Sequence, residues 1–192
     1  MKVYLLRHGE TEGNVRGSYS GITDTPLTDL GKQQAVDAHL RFEDVTFDVV
    51  LSSPLSRAYD TARVFTDSKV EIHEGLKEMN FGIFEDMTYD EILEQYPEEA
   101  KQWKETTKGY TFPKGESLND FYDKVIKVYH EIIQSYDVEN LLIVAHSGVI
   151  KSILAEEIAD GFDSFWKFKV DNCKLSIIEY SDDYHYLTAL NI

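Results

Sequence analysis

The chain has 192 residues, with 19 lysines and arginines against 35 aspartates and glutamates, 42% hydrophobic residues and one cysteine. This length predicts one domain over 1–192, and the hydrophobic content excludes the disordered and collagen-like classes. The formal net charge of −16 argues against nucleic acid or an anionic membrane as a partner, because both bind basic surfaces. A small anionic metabolite needs only a local cationic pocket, so it stays compatible with this charge.

The cysteine content and the opening of the chain bear on the compartment. Cys173 has no second cysteine with which to form an intrachain disulfide, so nothing indicates an oxidising environment. The apolar run at 3–6 is too short for a signal peptide, and no stretch approaches the length of a membrane span. We therefore expect a cytoplasmic protein.

The first part of the chain alternates between short apolar runs and helical patterns. Thr28 has the residue type of a helix N-cap, and Pro54 suits the start of a helix because its missing N–H would have no helical partner there. The predicted elements are a strand at 3–6, a helix from 28 to about 42, a strand at 47–51, a helix from 54 to about 65 and a strand at 70–73.

Residues 80–115 differ in composition from the chain around them. They combine many acids with the apolar side chains Phe81, Phe84, Met87, Tyr89, Tyr96, Trp103, Tyr110 and Phe112. We interpret this segment as a lid-like helical excursion over the sheet rather than a separate domain. Whether it moves when a ligand binds is left open.

The last part of the chain returns to alternating elements. Ser117 and Asp120 resemble a capping box with Asp in place of Glu. The predicted elements are a helix to about 136, a buried strand at 141–145, a helix at 148–158, and a hairpin of 175–180 and 184–190 around 181–183. The whole pattern predicts an α/β fold of three layers, with helices on both faces of a mostly parallel central sheet.

Three loops that follow predicted strands carry residues suited to binding an anion. Arg7 and His8 follow the first strand, Arg57 follows the second, and His146 follows the strand at 141–145. Ligands of open α/β sheets bind beyond the carboxyl ends of the strands. Each residue alone has an ordinary structural role, but their joint placement predicts a cationic pocket of the kind that binds phosphate.

Six short motifs follow one another along the chain. They are Leu6-Arg7-His8-Gly9-Glu10-Thr11 with Asn14, Tyr19-Ser20-Gly21, Ser53-Pro54-Leu55-Ser56-Arg57-Ala58, Leu76-Lys77-Glu78-Met79-Asn80, Gly115-Glu116-Ser117 and Val144-Ala145-His146-Ser147-Gly148. This series resembles the histidine phosphatase superfamily, also called phosphoglycerate mutase-like. The match extends over nearly the whole chain, so it is specific for the superfamily.

The resemblance implies a role for each matching residue. His8 would be the nucleophile that becomes a phosphohistidine, and Glu78 would be the general acid that protonates the leaving group and then activates water. The groups that hold the phosphoryl oxygens would be Arg7, Arg57 and His146. The implied substrate-binding residues are Asn14, Ser20, Gly21 and Ser147. The six histidines and one cysteine show no metal-ligand spacing, so we expect neither a metal nor a cofactor.

Membership of this superfamily leaves the reaction open. A mutase must hold a bisphosphate and needs a second cationic patch, whereas this chain has only five arginines and carries seven acids from Glu85 to Glu99 before any lysine. We therefore favour a phosphomonoesterase over a 2,3-bisphosphoglycerate-dependent phosphoglycerate mutase. A non-catalytic module that binds a phosphorylated ligand is disfavoured, because no catalytic position is substituted.

Three segments, 19–21, 78–85 and 166–172, are similar to the α-ribazole-5′-phosphate phosphatases of cobalamin assembly. This implies a substrate that joins a ribose phosphate to an aromatic benzimidazole, which the aromatic residues of 80–115 could contact. Packing of those rings on the core is an equally weighted alternative. Asp86 departs from the glycine usual in these relatives and would place a charge at the pocket lip. A broad-specificity sugar or nucleotide phosphatase is the alternative function.

Overall fold

The computed structural model describes residues 1–106, 109–182 and 184–192. The strands in these ranges are β1 (Lys2–Arg7), β2 (Val49–Ser52), β3 (Glu71–Ile72), β4 (Asn140–Ala145), β5 (Leu175–Tyr180) and β6 (His185–Ala189). The α-helices are α1 (Glu12–Arg16), α2 (Asp29–Arg41), α3 (Ser56–Arg63), α4 (Tyr89–Gln95), α5 (Pro97–Thr106), α6 (Leu118–Ser135) and α7 (Ser147–Ile158). Three 3₁₀ turns occupy Glu74–Leu76, Gly82–Phe84 and Gly161–Lys167. No helix in these ranges has the length and apolar character needed to cross a membrane.

The six strands form one sheet in the order β3-β2-β4-β1-β5-β6. Strands β3, β2, β4 and β1 are mutually parallel, whereas β5 and β6 add an antiparallel hairpin at one side. The predicted mostly parallel sheet with a terminal hairpin is therefore confirmed. Arg7 is paired with Ala145, and Ser52 with Val144, so β1, β2 and β4 end side by side. The loops that leave these strands consequently start at one edge of the sheet.

Alternating side chains of each central strand enter two separate apolar clusters. On β4, Leu141 and Ile143 join α6, α7 and the excursion in one cluster. Leu142 and Val144 join α2 and α3 in the other cluster. Because successive side chains of a strand point to opposite faces, helices cover both faces of the sheet. This confirms the predicted three-layer architecture.

Several predicted boundaries need correction. The strand predicted at 47–51 occupies Val49–Ser52, and the helix predicted from Pro54 begins only at Ser56. The physical reason for the later helix start is a distant cap, since Asp24 Oδ1 accepts hydrogen bonds from both the backbone N and Oγ of Ser56 at 2.8 Å. Helix α1 and the 3₁₀ turn at Gly161–Lys167 were not predicted from the sequence.

The excursion at 80–115 lies on the same face of the sheet as α6. Phe84, Ile92, Ala100 and Phe112 are buried in the apolar cluster that contains the core side chains of α6. The segment is helical in α4 and α5, as predicted, while a lid-like movement stays a prediction. Residues 107 and 108 of the excursion, and residue 183 of the predicted hairpin turn, lie outside the described ranges.

The central position of β4 gives a stability prediction. Leu141 is fully buried between β1 and β2, whereas Leu40 on α2 is 55% exposed. We expect Leu141→Ala to lower the free energy of unfolding by about 2–5 kcal/mol, because it leaves a cavity in a packed layer. The matched change Leu40→Ala should alter it by less than about 0.5 kcal/mol. Urea denaturation followed by circular dichroism measures both, and equal effects would contradict the assigned core.

Candidate active site

The sheet edge described above brings His8 and His146 together. His8 follows β1 and donates its backbone N–H to Ala145 O at 3.0 Å, while Ser53 follows β2 and donates to Val144 O at 3.0 Å. These bonds extend the parallel ladder beyond the strands and fix the loop backbones. The rings of His8 and His146 are both buried, with centroids 5.1 Å apart.

The environment of His8 determines which ring nitrogen is available. Its Nδ1 lies 2.7 Å from its neighbour's carbonyl, Gly9 O. A carbonyl can only accept, so we assign the proton to Nδ1, which leaves a lone pair on Nε2. Burial, reinforced by the charges of Arg7 and Arg57, lowers the pKa of His8 well below its ordinary value. His8 is therefore a neutral imidazole at neutral pH with a nucleophilic Nε2.

His146 has the complementary arrangement. Its Nε2 lies 2.8 Å from Ser53 Oγ, and its Nδ1 is buried and is unpartnered within the described ranges. Burial, followed by the charges of Arg57, His8 and Arg7, holds the pKa of His146 well below its ordinary value. If Ser53 donates its hydroxyl proton to Nε2, the neutral ring carries its own proton on Nδ1. That N–H is then free to donate to a bound anion.

The two arginines predicted at the site are both present and largely buried. Arg7 Nη1 donates to Val170 O at 2.8 Å, and its Nε is buried without a partner among the described residues. Arg57 is 1% exposed and directs both terminal nitrogens to the carbonyls of Ser20, Gly21 and Thr23. Three of its five N–H donors are used in this way, which leaves Nε–H and one Nη1–H. Burial lowers the pKa of each arginine.

Asn14 also presents an unused donor. Its Oδ1 accepts from the backbone N of Thr11 at 3.1 Å and from Asn172 Nδ2 at 3.0 Å. Both lone pairs of that oxygen are thereby engaged, so Nδ2 is the part of Asn14 left for an acceptor on a ligand. Asn172 also donates to His8 O at 3.0 Å. The sequence analysis did not predict that Asn172 positions Asn14, although Asn172 belongs to the segment 166–172 that resembles known phosphatases.

Ser20 and Gly21, which were predicted to bind substrate, make hydrogen bonds to other residues of the protein. Gly21 N donates to Glu85 Oε2 at 3.1 Å, and Ser20 Oγ donates to Asp86 Oδ1 at 3.2 Å. Their donors are thus satisfied inside the protein, while their carbonyls bind Arg57. Phosphate binding by these two residues stays a prediction that would require new hydrogen bonds.

The contacts of Glu85 were not predicted, since the sequence analysis noted Glu85 only in an acidic run and in the segment 78–85. Its carboxylate accepts from the backbone N of Gly21, Ile22 and Thr23 at 3.0–3.1 Å and from Thr23 Oγ1 at 2.6 Å. The Glu85 side chain, which belongs to the excursion, therefore binds the loop whose carbonyls accept hydrogen bonds from Arg57. Asp86, beside it, contacts Ser20 rather than the cavity described below.

Glu78 lies where α7 begins. Its carboxylate accepts from Met79 N at 3.0 Å and from Gly148 N at 2.9 Å. A Cβ at Gly148 would collide with Glu78 Oε1, so the approach of this carboxylate requires glycine at that position. Ser147, the first residue of α7, lies beside it in the wall of a cavity.

That cavity has a volume of about 270 Å³. Its aromatic lining includes Tyr19, Phe81, Trp103, Phe112, Phe121 and Phe165. Some of these rings also contact each other, for example Trp103 and Phe112 at 5.0 Å between centroids. The two sequence-based interpretations of these aromatics are therefore compatible, since the rings both pack on one another and form the cavity wall next to Glu78.

The assembled site suits a phosphoryl group. Within the described ranges, no three His, Cys, Asp or Glu side chains are placed to hold a metal ion together. The unpartnered buried donors at Arg7 and His146 instead require an acceptor, because an unpaired buried polar group is costly. A three-layer α/β fold with a neutral histidine under cationic donors defines a protein that binds phosphate esters.

Comparisons with known proteins agree with this class. A family model of the histidine phosphatase superfamily (branch 1) matches residues 3–192. The adenosylcobalamin/alpha-ribazole phosphatase of Escherichia coli (strain K12) is 32% identical over 194 residues, which cover 100% of this chain and 96% of that protein. Phosphoserine phosphatase 1 of Hydrogenobacter thermophilus is 30% identical over 195 residues, covering 100% and 92%.

A solved structure extends the similarity to the fold. The crystal structure of the alpha-ribazole phosphatase from Shigella flexneri has a TM-score of 0.93 and 35% identity, with 100% of this chain and 96% of that chain covered. The chain belongs to the histidine phosphatase superfamily.

The lowered pKa of His146 makes stability depend on pH. Between the folded pKa and the unfolded value of about 6.5, the unfolded chain binds a proton that the folded chain does not. The contribution of neutral His146 is therefore fully present above that value and is lost as the pH falls through the folded pKa. We expect His146→Gln to destabilise the protein less at about pH 5 than at about pH 8. Urea denaturation at both pH values measures this, and a constant difference would contradict it.

Proposed function

We propose that this protein is a cytoplasmic phosphomonoesterase that hydrolyses a small phosphate ester through a phosphohistidine at His8, without a metal or cofactor. The observation that carries this proposal is the neutral His8 ring with a free Nε2, next to the unpartnered donors Arg7 Nε and His146 Nδ1. Phosphoryl transfer requires a nucleophile close to hydrogen-bond donors that can bind the phosphoryl oxygens.

In the first step, His8 Nε2 attacks phosphorus in line with the leaving oxygen. The N–P bond forms as the P–O bond to the leaving group breaks, and Glu78 transfers its proton to the departing oxygen. Charge on the phosphoryl oxygens is balanced by Arg7, by the donors left on Arg57, and by His146 Nδ1–H. Asn14 Nδ2 adds a neutral hydrogen bond to the same group.

In the second step, a water molecule replaces the leaving group. The Glu78 carboxylate, now ionised, accepts a proton from the water as its oxygen attacks phosphorus. The N–P bond breaks, inorganic phosphate forms and His8 returns to its neutral state. Since Glu78 accepts backbone bonds from Met79 and Gly148 on separate oxygens, its orientation is the same in both steps.

Hydrolysis is favoured over mutase activity by the positions of the other arginines. Arg16 pairs with Glu91, Arg41 donates to Cys173 O, and Arg63 donates to Ser68 O. None of these bonds lies at the cavity, so the arginines supply no second anion site for a bisphosphate.

The aromatic cavity supports a ring-bearing leaving group. Of the substrates named for the relatives, α-ribazole 5′-phosphate has a leaving group that carries an aromatic ring, whereas phosphoserine is small and polar. We therefore propose an α-ribazole-type ester as the substrate, with broad-specificity hydrolysis of sugar or nucleotide phosphates as the alternative. Comparing kcat/KM for α-ribazole phosphate, phosphoserine, sugar phosphates and nucleotides discriminates among these.

The proposed nucleophile gives a direct test. The protein should hydrolyse p-nitrophenyl phosphate in the presence of a chelator, and His8→Ala should lose about a thousandfold or more in kcat/KM. His39→Ala is the matched control, because His39 lies on α2 and contacts Phe65 in the cluster on the other face of the sheet. Trapping with labelled substrate should give an acid-labile, base-stable adduct at His8. Turnover that survives His8→Ala, or an adduct on another residue, would refute the mechanism.

The role of Glu78 predicts a dependence on the leaving group. An alkyl phosphate has a poor leaving group and needs the proton, so Glu78→Gln should slow its hydrolysis by about 10²–10⁴-fold. The loss should be much smaller for p-nitrophenyl phosphate, whose leaving group departs as a stable anion. Glu74→Gln, at an exposed carboxylate paired with Lys77, is the control. Equal losses on both esters would argue against Glu78 as the acid.

A further inference from the structure

We propose that Lys151 is a specificity-determining residue whose ammonium group donates to an acceptor atom, most strongly an anionic one, on a ring-bearing leaving group. This inference rests on the proposed function and names the leaving-group chemistry of the same site. It concerns a side chain in the cavity wall to which neither the motifs nor the catalytic scheme gives a role.

The position of Lys151 follows from its helix. It lies four residues after Ser147 on α7, and residues at this spacing share a helix face. Lys151 therefore lines the cavity together with Ser147 and Glu78. Half-burial, together with the positive charge of Arg7, lowers the pKa of Lys151, and the negative charge of Glu78 partly offsets this shift.

The ammonium group of Lys151 has aromatic rings around it and makes no hydrogen bond to an acceptor in the described part of the chain. Its Nζ lies 5.3 Å from the ring centroid of Trp166 and 5.9 Å from that of Phe165. Among the described residues, no hydrogen bond or ion pair satisfies it. By contrast, Lys77 and Lys124 each pair with a glutamate at 2.7 Å. Lys151 is thus a partly desolvated cation with three unused donors.

The cavity and this cation together define a ligand shape. Aromatic walls favour a flat ring, and a lone ammonium on one wall favours a lone pair or a negative charge on that ring. A charged acceptor gains more than a neutral one, because the Coulomb attraction between opposite charges adds to the hydrogen bond at a partly desolvated site. An ester with its phosphoryl group at His8 and its ring in the cavity would place such an acceptor within reach of the flexible lysine side chain.

Two phosphonates that cannot be hydrolysed provide the test, so the readout does not require turnover. They are 4-carboxybenzylphosphonate and 4-carbamoylbenzylphosphonate, which share a ring and differ in one charge. Isothermal titration calorimetry gives the Kd of each for the wild type, Lys151→Met, Lys151→Arg and Lys32→Met. Lys32 is exposed on α2, and Lys32→Met changes the net charge by the same amount as Lys151→Met.

We expect the preference for the carboxylate over the carboxamide, taken as the ratio of the two Kd values, to fall about tenfold in Lys151→Met. Lys151→Arg should retain most of the preference, and Lys32→Met all of it. The same ratio in the wild type and Lys151→Met would overturn the inference. An equal fall in Lys32→Met would overturn it too, since the effect would then arise from net charge. Absence of binding by both phosphonates would also count against it.

The outcomes separate this inference from the proposed function. If the Kd ratio depends on Lys151 but the protein hydrolyses no ester, the binding role of Lys151 is retained and the proposed phosphatase activity is refuted. If the protein hydrolyses esters through His8 but the Kd ratio does not depend on Lys151, the phosphatase activity is retained and the binding role of Lys151 is refuted. Circular dichroism checks each variant, and Lys151→Gln replaces Lys151→Met if the latter does not fold.

Discussion

The structure depends on two arginines buried beside two neutral histidines with no carboxylate in hydrogen-bond contact with them among the described residues. Removing a guanidinium from water is unfavourable unless acceptors replace the lost hydration. Arg57 finds its acceptors in three loop carbonyls, and Arg7 finds one in Val170. Arg7 Nε has no partner among the described residues, so a phosphate dianion would supply the missing charge and an acceptor together. Burial, followed by the positive charges of the two arginines, lowers the pKa of His8 and of His146 and keeps both rings neutral.

Arg57 is positioned through a relay that begins in the excursion. Glu85 binds the amides of the loop at 21–23, and that loop turns its carbonyls toward Arg57. A side chain of 80–115 therefore determines how many donors Arg57 has left for a ligand. A movement of the excursion as a lid would either carry the loop with it or break these bonds and release Arg57. The excursion and the loop that binds Arg57 are thus connected through Glu85 and through the hydrogen bond of Asp86 with Ser20.

The fold and the composition of the site were predictable where local pattern and topology decide them. Buried runs such as 141–145 marked strands, and parallel pairing then required that His8 and His146 meet. The parts that were not predictable depend on contacts distant in sequence. The start of α3 is determined by Asp24, 32 residues away, and the partners of Arg57 depend on a loop conformation. Likewise, the available nitrogen of His8 follows from one backbone carbonyl, which no residue pattern encodes.

In the proposed scheme, chemistry and substrate choice belong to different parts of the fold. His8 and His146 directly follow strands, whose hydrogen-bonded register leaves them little freedom, whereas Arg57 on α3 is held by loop carbonyls. The cavity walls come from helices and from the excursion, where side chains can change without disturbing the sheet. Helix α7 connects the two parts, because Gly148 at its start orients Glu78 and Lys151 one turn later lines the cavity. In the proposed scheme, the cavity walls can therefore vary without changing the groups that act on phosphorus, and residues one turn into α7, such as Lys151, are where substrate preference would be determined.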